Sequence, residues 1–188
     1  MNVLLLNGSP RKEGCTYTAL CEVAKVLKDH GIDSEIFHAG HPTMENIKEA
    51  AEKLKTADAL VVGSPVYWAS PTGEIVTFMD KLCGIAGKDM QMKPAAAIVS
   101  ARRGGTTATL DVLTKYFSFY QMPIVSSCYW PMVHGNTPEE VKKDLEGMQI
   151  MRTLGRNMAW LLKCIEAGKN AGVDLPEQEE KIKTNFIR

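Results

Sequence analysis

Three short stretches hold most of the residue types in this chain that can bind and orient a ligand. The first is Gly8-Ser9-Pro10-Arg11-Lys12-Glu13-Gly14-Cys15-Thr16, where hydroxyls of Ser9, Thr16 and nearby Thr18 stand with the Arg11 guanidinium just ahead of an amphipathic run. Backbone N–H groups at a helix start complete that set, and together they suit a phosphate. Spacing excludes the commoner phosphate loops. Gly8 and Gly14 are separated by five residues where a Walker A loop has four, and Cys15 stands where that loop has lysine. No GxGxxG follows the first apolar run, and no cysteine is followed five residues later by arginine, as a small tyrosine phosphatase requires. Gly-Ser-Pro also departs from the GxSxG nucleophile pattern.

The second stretch, Gly63-Ser64-Pro65-Val66-Tyr67-Trp68, sets two aromatic rings beyond the end of an apolar run. Such a pair suits a flat ring that must be stacked or edged, and Pro65 stiffens the backbone whose N–H groups would meet heteroatoms. The third, Ser100-Ala101-Arg102-Arg103-Gly104-Gly105, joins two arginines to two glycines before another helix. The glycines permit close backbone approach, and one arginine is expected to face the ligand, stabilising negative charge on a ring or a second phosphate. Among the histidines, His30, His38, His41 and His134, none has metal-ligand spacing, and only His134 falls in a segment expected near the same edge.

These stretches are positioned by an alternation of strand-length and helix-length runs, the mark of an α/β parallel sheet covered on both faces. Strands are expected at 3–6, 32–37, 59–64, 95–100 and 123–127. Helices follow with apolar faces at Leu20, Val23 and Leu27, at Ile47, Ala51 and Leu54 behind a Thr43 cap, at Ile75, Met79 and Leu82, and at Leu110, Leu113 and Phe117. A last helix opens with Thr137 as N-cap, Pro138 at N1 and Glu140 at N3, a capping box, and its stripe runs from Val141 to Ile165 with a bend expected near Gly147 or Gly155. Residues 1–168 then form one domain, and 169–188 an arm over the same or a neighbouring subunit. Five strands suit the doubly wound order 2-1-3-4-5, in which the three ligand-type stretches meet at the carboxyl edge beside the topological switch point.

Composition narrows the partners. Lys plus Arg and Asp plus Glu each number 22, so no global field draws in nucleic acid or an anionic membrane. No run reaches membrane-spanning length, and no leader pattern opens the chain. Cys15, Cys21, Cys83, Cys128 and Cys164 form no CxxC pair and suit reduced thiols in the cytoplasm, with no metal site expected.

A planar ring with one phosphate at such a switch point indicates FMN. The motifs GSPRKEGCT, GSPVYWASPTG and RRGGTT, in this order and spacing, resemble the NADPH-dependent FMN reductase and iron–sulfur flavoprotein branch of the flavodoxin-like proteins, and the likeness covers nearly the whole chain. The resemblance implies a flavodoxin-like five-stranded fold. It makes Ser9, Arg11, Cys15 and Thr16, with Gly14, the phosphate contacts, Pro65, Val66, Tyr67 and Trp68 the isoalloxazine loop, and Ala101, Arg102, Arg103, Gly104 and Gly105 the loop on the flavin's other side. Cys15 departs from the usual G-N-T of the first loop, at a helix start where thiol pKa values tend to fall. Many relatives carry a cysteine cluster between the second and third strands; residues 38–53 here contain none, which excludes an iron–sulfur cluster of that type.

The implied activity is oxidoreduction in which NADPH or NADH gives hydride to FMN and a quinone, nitro compound, metal ion or free flavin takes the electrons. No catalytic side chain is required, because the flavin carries the chemistry. A homodimer or homotetramer is expected to complete each pocket. The rival is a flavodoxin-type electron carrier without turnover, which would favour an acidic rim; Arg11, Lys12, Arg102 and Arg103 make this one basic.

Overall fold

The computed structural model describes residues 1–180, 182–184 and 186. Its elements are β1 Asn2–Asn7, α1 Cys15–Asp29, β2 Asp33–His38, α2 Met44–Thr56, β3 Ala59–Tyr67, β4 Ser70–Pro71, α3 Gly73–Met90, β5 Ala95–Ala101, α4 Thr106–Phe119, β6 Met132–His134, α5 Pro138–Lys143 and α6 Leu145–Asn170. The sheet runs β2-β1-β3-β5-β6 with parallel pairing throughout, and the two-residue β4 folds back antiparallel on the end of β3. With β4 set aside this is the expected 2-1-3-4-5 order of a flavodoxin-like sheet.

Strand side chains alternate between the two faces. Leu4, Leu6, Leu60, Val62 and Val99 pack under α2, α3 and α4 with Ile47, Phe78, Met79, Leu113 and Phe117. Val3, Leu5, Val61 and Ile98 pack under α1 and α6 with Leu20, Leu27, Met151 and Met158. Burial on both faces is why β1 and β3 read as unbroken apolar runs. The α6 stripe reaches the sheet by lying across α1, where Gly155 leaves room that a Cβ would fill at 2.9 Å from Val26 Cβ.

Two expectations need correction. The fifth strand is not 123–127: only an isolated bridge joins Ile124 to Ala95, and pairing resumes at Met132–His134. The intervening chain is tied to α6 instead, where Asn157 Nδ2 donates to the Ser126 carbonyl at 2.8 Å and Ser127 Oγ donates to the Ile150 carbonyl at 2.7 Å. The last helix is also two helices rather than one. Asp144 breaks it by accepting the Gly147 N–H at 2.9 Å as the N-cap of α6, so the interruption precedes Gly147. Thr137 caps α5 as expected, accepting the Glu140 N–H at 3.3 Å, but Glu140 Oε2 takes the Asn136 N–H rather than that of Thr137.

Helix α6 continues to Asn170, past the expected domain limit. The arm beyond it meets its own chain where Gln91 Nε2 donates to Gln178 Oε1 at 2.6 Å. Its residues 181, 185, 187 and 188 lie outside those described. Among the described residues no helix is long and apolar enough to cross a membrane.

Candidate functional site

The loop from β1 to α1 is anchored by its carbonyls. Asn7 C=O accepts the Ala39 N–H at 2.8 Å, Gly8 C=O accepts Thr72 Oγ1 at 3.0 Å, Ser9 C=O accepts from His38 Nε2 at 2.8 Å, and Lys12 C=O accepts Asn7 Nδ2 at 2.9 Å. A carbonyl oxygen has no proton to give, so the His38 ring nitrogen is the donor. Close contact makes this clamp intolerant of bulk. A Cβ on Gly8 would lie 2.6 Å from the Ile75 side chain, and one on Gly40 would fall 1.9 Å from the Ser9 carbonyl oxygen. With its acceptors engaged on the anchoring side, the loop presents donors to an anion.

Those donors are real vacancies in the bonding scheme. Gly14, the extended N-cap of α1, has no side chain to accept a bond, and the first turn holds no acidic residue. The N–H groups of Cys15, Thr16 and Tyr17 therefore lack an intrahelical acceptor. Helix α4 starts the same way, on Gly105 in the left-handed region at φ 94°, uncapped and without a first-turn acid. Among the described residues, each of the other four helices is capped by its own N-cap side chain, Thr43, Thr72, Thr137 or Asp144, and carries a first-turn glutamate. The two uncapped helices start at the first and third ligand-type stretches.

Between these loops lies a cavity of about 220 Å³. Ser9, Arg11, Cys15, Thr16, Pro65, Val66, Tyr67, Ala101 and Arg102 line it, joined by Ser100, Gly135 and Asn136. Thr16 and Ser100 hydroxyls meet at 2.8 Å, which ties the first stretch to the third across the switch point. Neither Arg11 nor Arg102 has a carboxylate within ion-pair distance among the described residues.

The remaining expected residues stand around that lining. Gly14 serves as the N-cap, Arg103 and Gly104 are exposed, and Arg102 is the arginine of the pair that reaches the cavity. Gly105 packs under the β3–β4 turn, where a Cβ would sit 2.6 Å from Ala69 Cα. Trp68 is fully exposed at the tip of that turn, with φ 54° followed by φ 57° at Ala69. Two positive φ values match a tight hairpin turn but are strained for residues with side chains. Thr18 turns inward and donates to the Gly14 carbonyl at 3.1 Å. His134 belongs to the α6 start, its N–H donating to Asp144 Oδ2 at 2.6 Å, while its successors Gly135 and Asn136 reach the cavity.

Burial pushes the Cys15 thiol pKa up, against the lowering effects of its helix-start N–H and of Arg11. The expected fall is thus reversed, because a half-buried thiolate loses more hydration than a helix terminus returns. Asn7, His38, Gly40 and Thr72 complete the site from outside the three ligand-type stretches, and Ser100, the first residue of the third, joins them through Thr16. Their common signal is topological: each lies at or just beyond an end of a strand on the carboxyl edge.

Comparison with known proteins bears on the family and the fold. Residues 1–137 match the family of NADPH-dependent FMN reductases. An iron–sulfur flavoprotein of Methanocaldococcus jannaschii is 26% identical, over 88% of this chain and 100% of its own. The NADPH-dependent FMN reductase of Escherichia coli is 31% identical over 58% of this chain and 60% of its own. Among solved structures, the flavoenzyme NAD(P)H:acceptor oxidoreductase FerB of Paracoccus denitrificans superposes with a TM-score of 0.69 at 16% identity, covering 87% of this chain and 97% of its own. RosB, solved with a riboflavin-phosphate intermediate, gives 0.72 at 15% identity over 100% and 94% of the two chains.

Proposed function

The chain belongs to the NADPH-dependent FMN reductase family, and from that premise we propose that this FMN-dependent oxidoreductase takes hydride from NADPH and delivers the electrons to a small acceptor such as a quinone, nitro compound, metal ion or free flavin. Bound FMN supplies a ring that accepts hydride and gives up two electrons. The observation that carries the reading is one cavity that gathers the uncapped, acid-free start of α1 with the loops that follow β3 and β5.

In this reading the N–H groups of Cys15, Thr16 and Tyr17, the Ser9 hydroxyl and Arg11 hold the FMN phosphate, with Thr16 oriented by its bond to Ser100. Pro65, Val66 and Tyr67 hold the ring from one side. Ala101 and Arg102 hold it from the other, and the Arg102 guanidinium offsets negative charge that reduction adds. Gly104 and Gly105 let that loop approach closely, and Trp68 with Arg103 forms the outer rim. The unpaired Arg11 and Arg102 favour a phosphate-bearing nicotinamide over the basic protein partner that an electron carrier would dock. We further expect a cytoplasmic homodimer or homotetramer, with the exposed Trp68 tip covered by a second subunit.

Anaerobic titration of the FMN-loaded protein with NADPH tests the reading. Loss of the oxidised-flavin absorbance at near-stoichiometric NADPH is the expected result. Bleaching by dithionite but not by NADPH would transfer the protein to the electron carriers.

A further inference from the structure

The outer edge of β5 has a gap in its hydrogen bonding. Ala95 donates to the Pro123 carbonyl at 2.9 Å and accepts the Val125 N–H at 2.8 Å, and Val99 donates to the Pro131 carbonyl at 2.9 Å. In a parallel ladder alternate residues turn to the same neighbour, so Ala97, midway between them, aims both its N–H and its C=O toward this edge. No described residue bonds to it there, although Ala97 is only 3% exposed. The chain that would have paired with it is held away by its bonds to α6 through Ser126 and Ser127.

A cavity of about 400 Å³ opens at this gap, between the displaced chain and α4, and shares no residue with the flavin-type cavity. Leu110, Ile124 and Trp130 give it apolar walls, and Thr114 and Asp111 stand on the α4 side. Trp130 and Tyr129 are about half exposed and meet edge to face, with ring centroids 4.9 Å apart. A buried backbone donor and acceptor left without partners are costly, and a water that satisfied them would leave the aromatic and aliphatic walls wetted.

We propose that this gap is a second small-molecule site, selective for a planar nitrogen heterocycle whose edge sets a hydrogen-bond donor beside an acceptor. One extended residue offers its N–H and C=O side by side, and such an edge engages both at once. Lactams, aminopyridines and nucleobases present it. The ring then lies against Leu110, Ile124 and Trp130, in a cavity of the size that small ligands occupy.

The test uses FMN-loaded protein, amide NMR and the matched pair 7-azaindole and indole, which share shape but differ in the second edge nitrogen. The expected result is roughly tenfold tighter binding of 7-azaindole, with its largest shift at the Ala97 amide. Thr114→Trp, which plugs the cavity from α4, removes that binding while the protein stays folded and keeps its FMN. Equal binding of the two probes, no binding by either, or an unmoved Ala97 amide overturns the proposal. So does an Ala97 signal that changes on dilution without probe, because the gap is then covered by another copy of the chain.

Discussion

Helices α1 and α2 rise from neighbouring strands of one sheet, yet their first turns are built on opposite plans. Thr43 closes α2 in a reciprocal capping box with Asn46, and Glu45 answers the helix dipole. Gly14 leaves the α1 start open, with no side-chain acceptor and no acid. A Ser, Thr, Asp or Asn N-cap contributes about 1 kcal/mol over alanine, though only a few tenths over glycine. The second plan therefore forgoes little stability while keeping several N–H groups for a ligand. Helix α4 repeats it at Gly105, which packs under the β3–β4 turn. The difference marks the site as clearly as any single side chain, because a helix end satisfied from within has nothing left to bind.

The strongest way to break this contrast is to give α1 the plan of α2. Gly14→Asp supplies a cap and a charge where a new Cβ meets Arg11, its side chain at 3.2 Å and its carbonyl oxygen at 3.7 Å. Thermal denaturation without flavin should show a gain of up to about 1 kcal/mol. FMN affinity, read by quenching of flavin fluorescence, should fall roughly 100-fold as a carboxylate faces the phosphate. Retained affinity would mean that the phosphate lies elsewhere.

A subtler intervention leaves the donors alone and loosens what orients them. His38→Leu removes the bond to the Ser9 carbonyl, which can then turn its dipole into the site. FMN should bind about tenfold more weakly, while riboflavin, which has no phosphate, should bind as before. His38→Gln keeps a donor and should restore most of the loss. Equal losses for FMN and riboflavin would make His38 a structural residue only.

The converse control acts on α2. Thr43→Ala should cost about 1 kcal/mol of unfolding free energy and leave FMN affinity unchanged. A change in FMN affinity here would erase the distinction between the two kinds of helix start.

What sequence shows and hides follows from the same contrast. The open starts are legible because each is set on glycine with no acid in its first turn, and the cavity gathers residues from all three ligand-type stretches. The clamp is not legible: His38 and Asn7 become neighbours only through the β1–β2 register, 31 positions apart in the chain. The 123–127 run has strand composition, yet Ser126 and Ser127 find partners on α6, and no local pattern reports a competing donor or acceptor so far along the chain. Asp144 was hidden for a related reason. Its carboxylate serves Gly147 and His134 together, so a helical stripe of apolar residues runs unbroken through a point where the backbone does not.

Cys15 provides the smallest effect and the finest test, since its thiol sits inside the open helix start. Helix N–H groups and Arg11 draw its pKa down, burial drives it up, and burial prevails. At pH 8 the thiolate fraction is therefore below that of an ordinary cysteine, and alkylation by iodoacetamide should run a few-fold slower than for a free thiol. The rate should keep climbing as pH passes 9, the unperturbed value. FMN should slow alkylation further by covering the thiol, whereas riboflavin should protect less because it leaves the phosphate position open. A Cys15 that reacts fastest near neutrality would mean that the helix start outweighs burial, and that its field is strong enough to hold an anion without the clamp behind it.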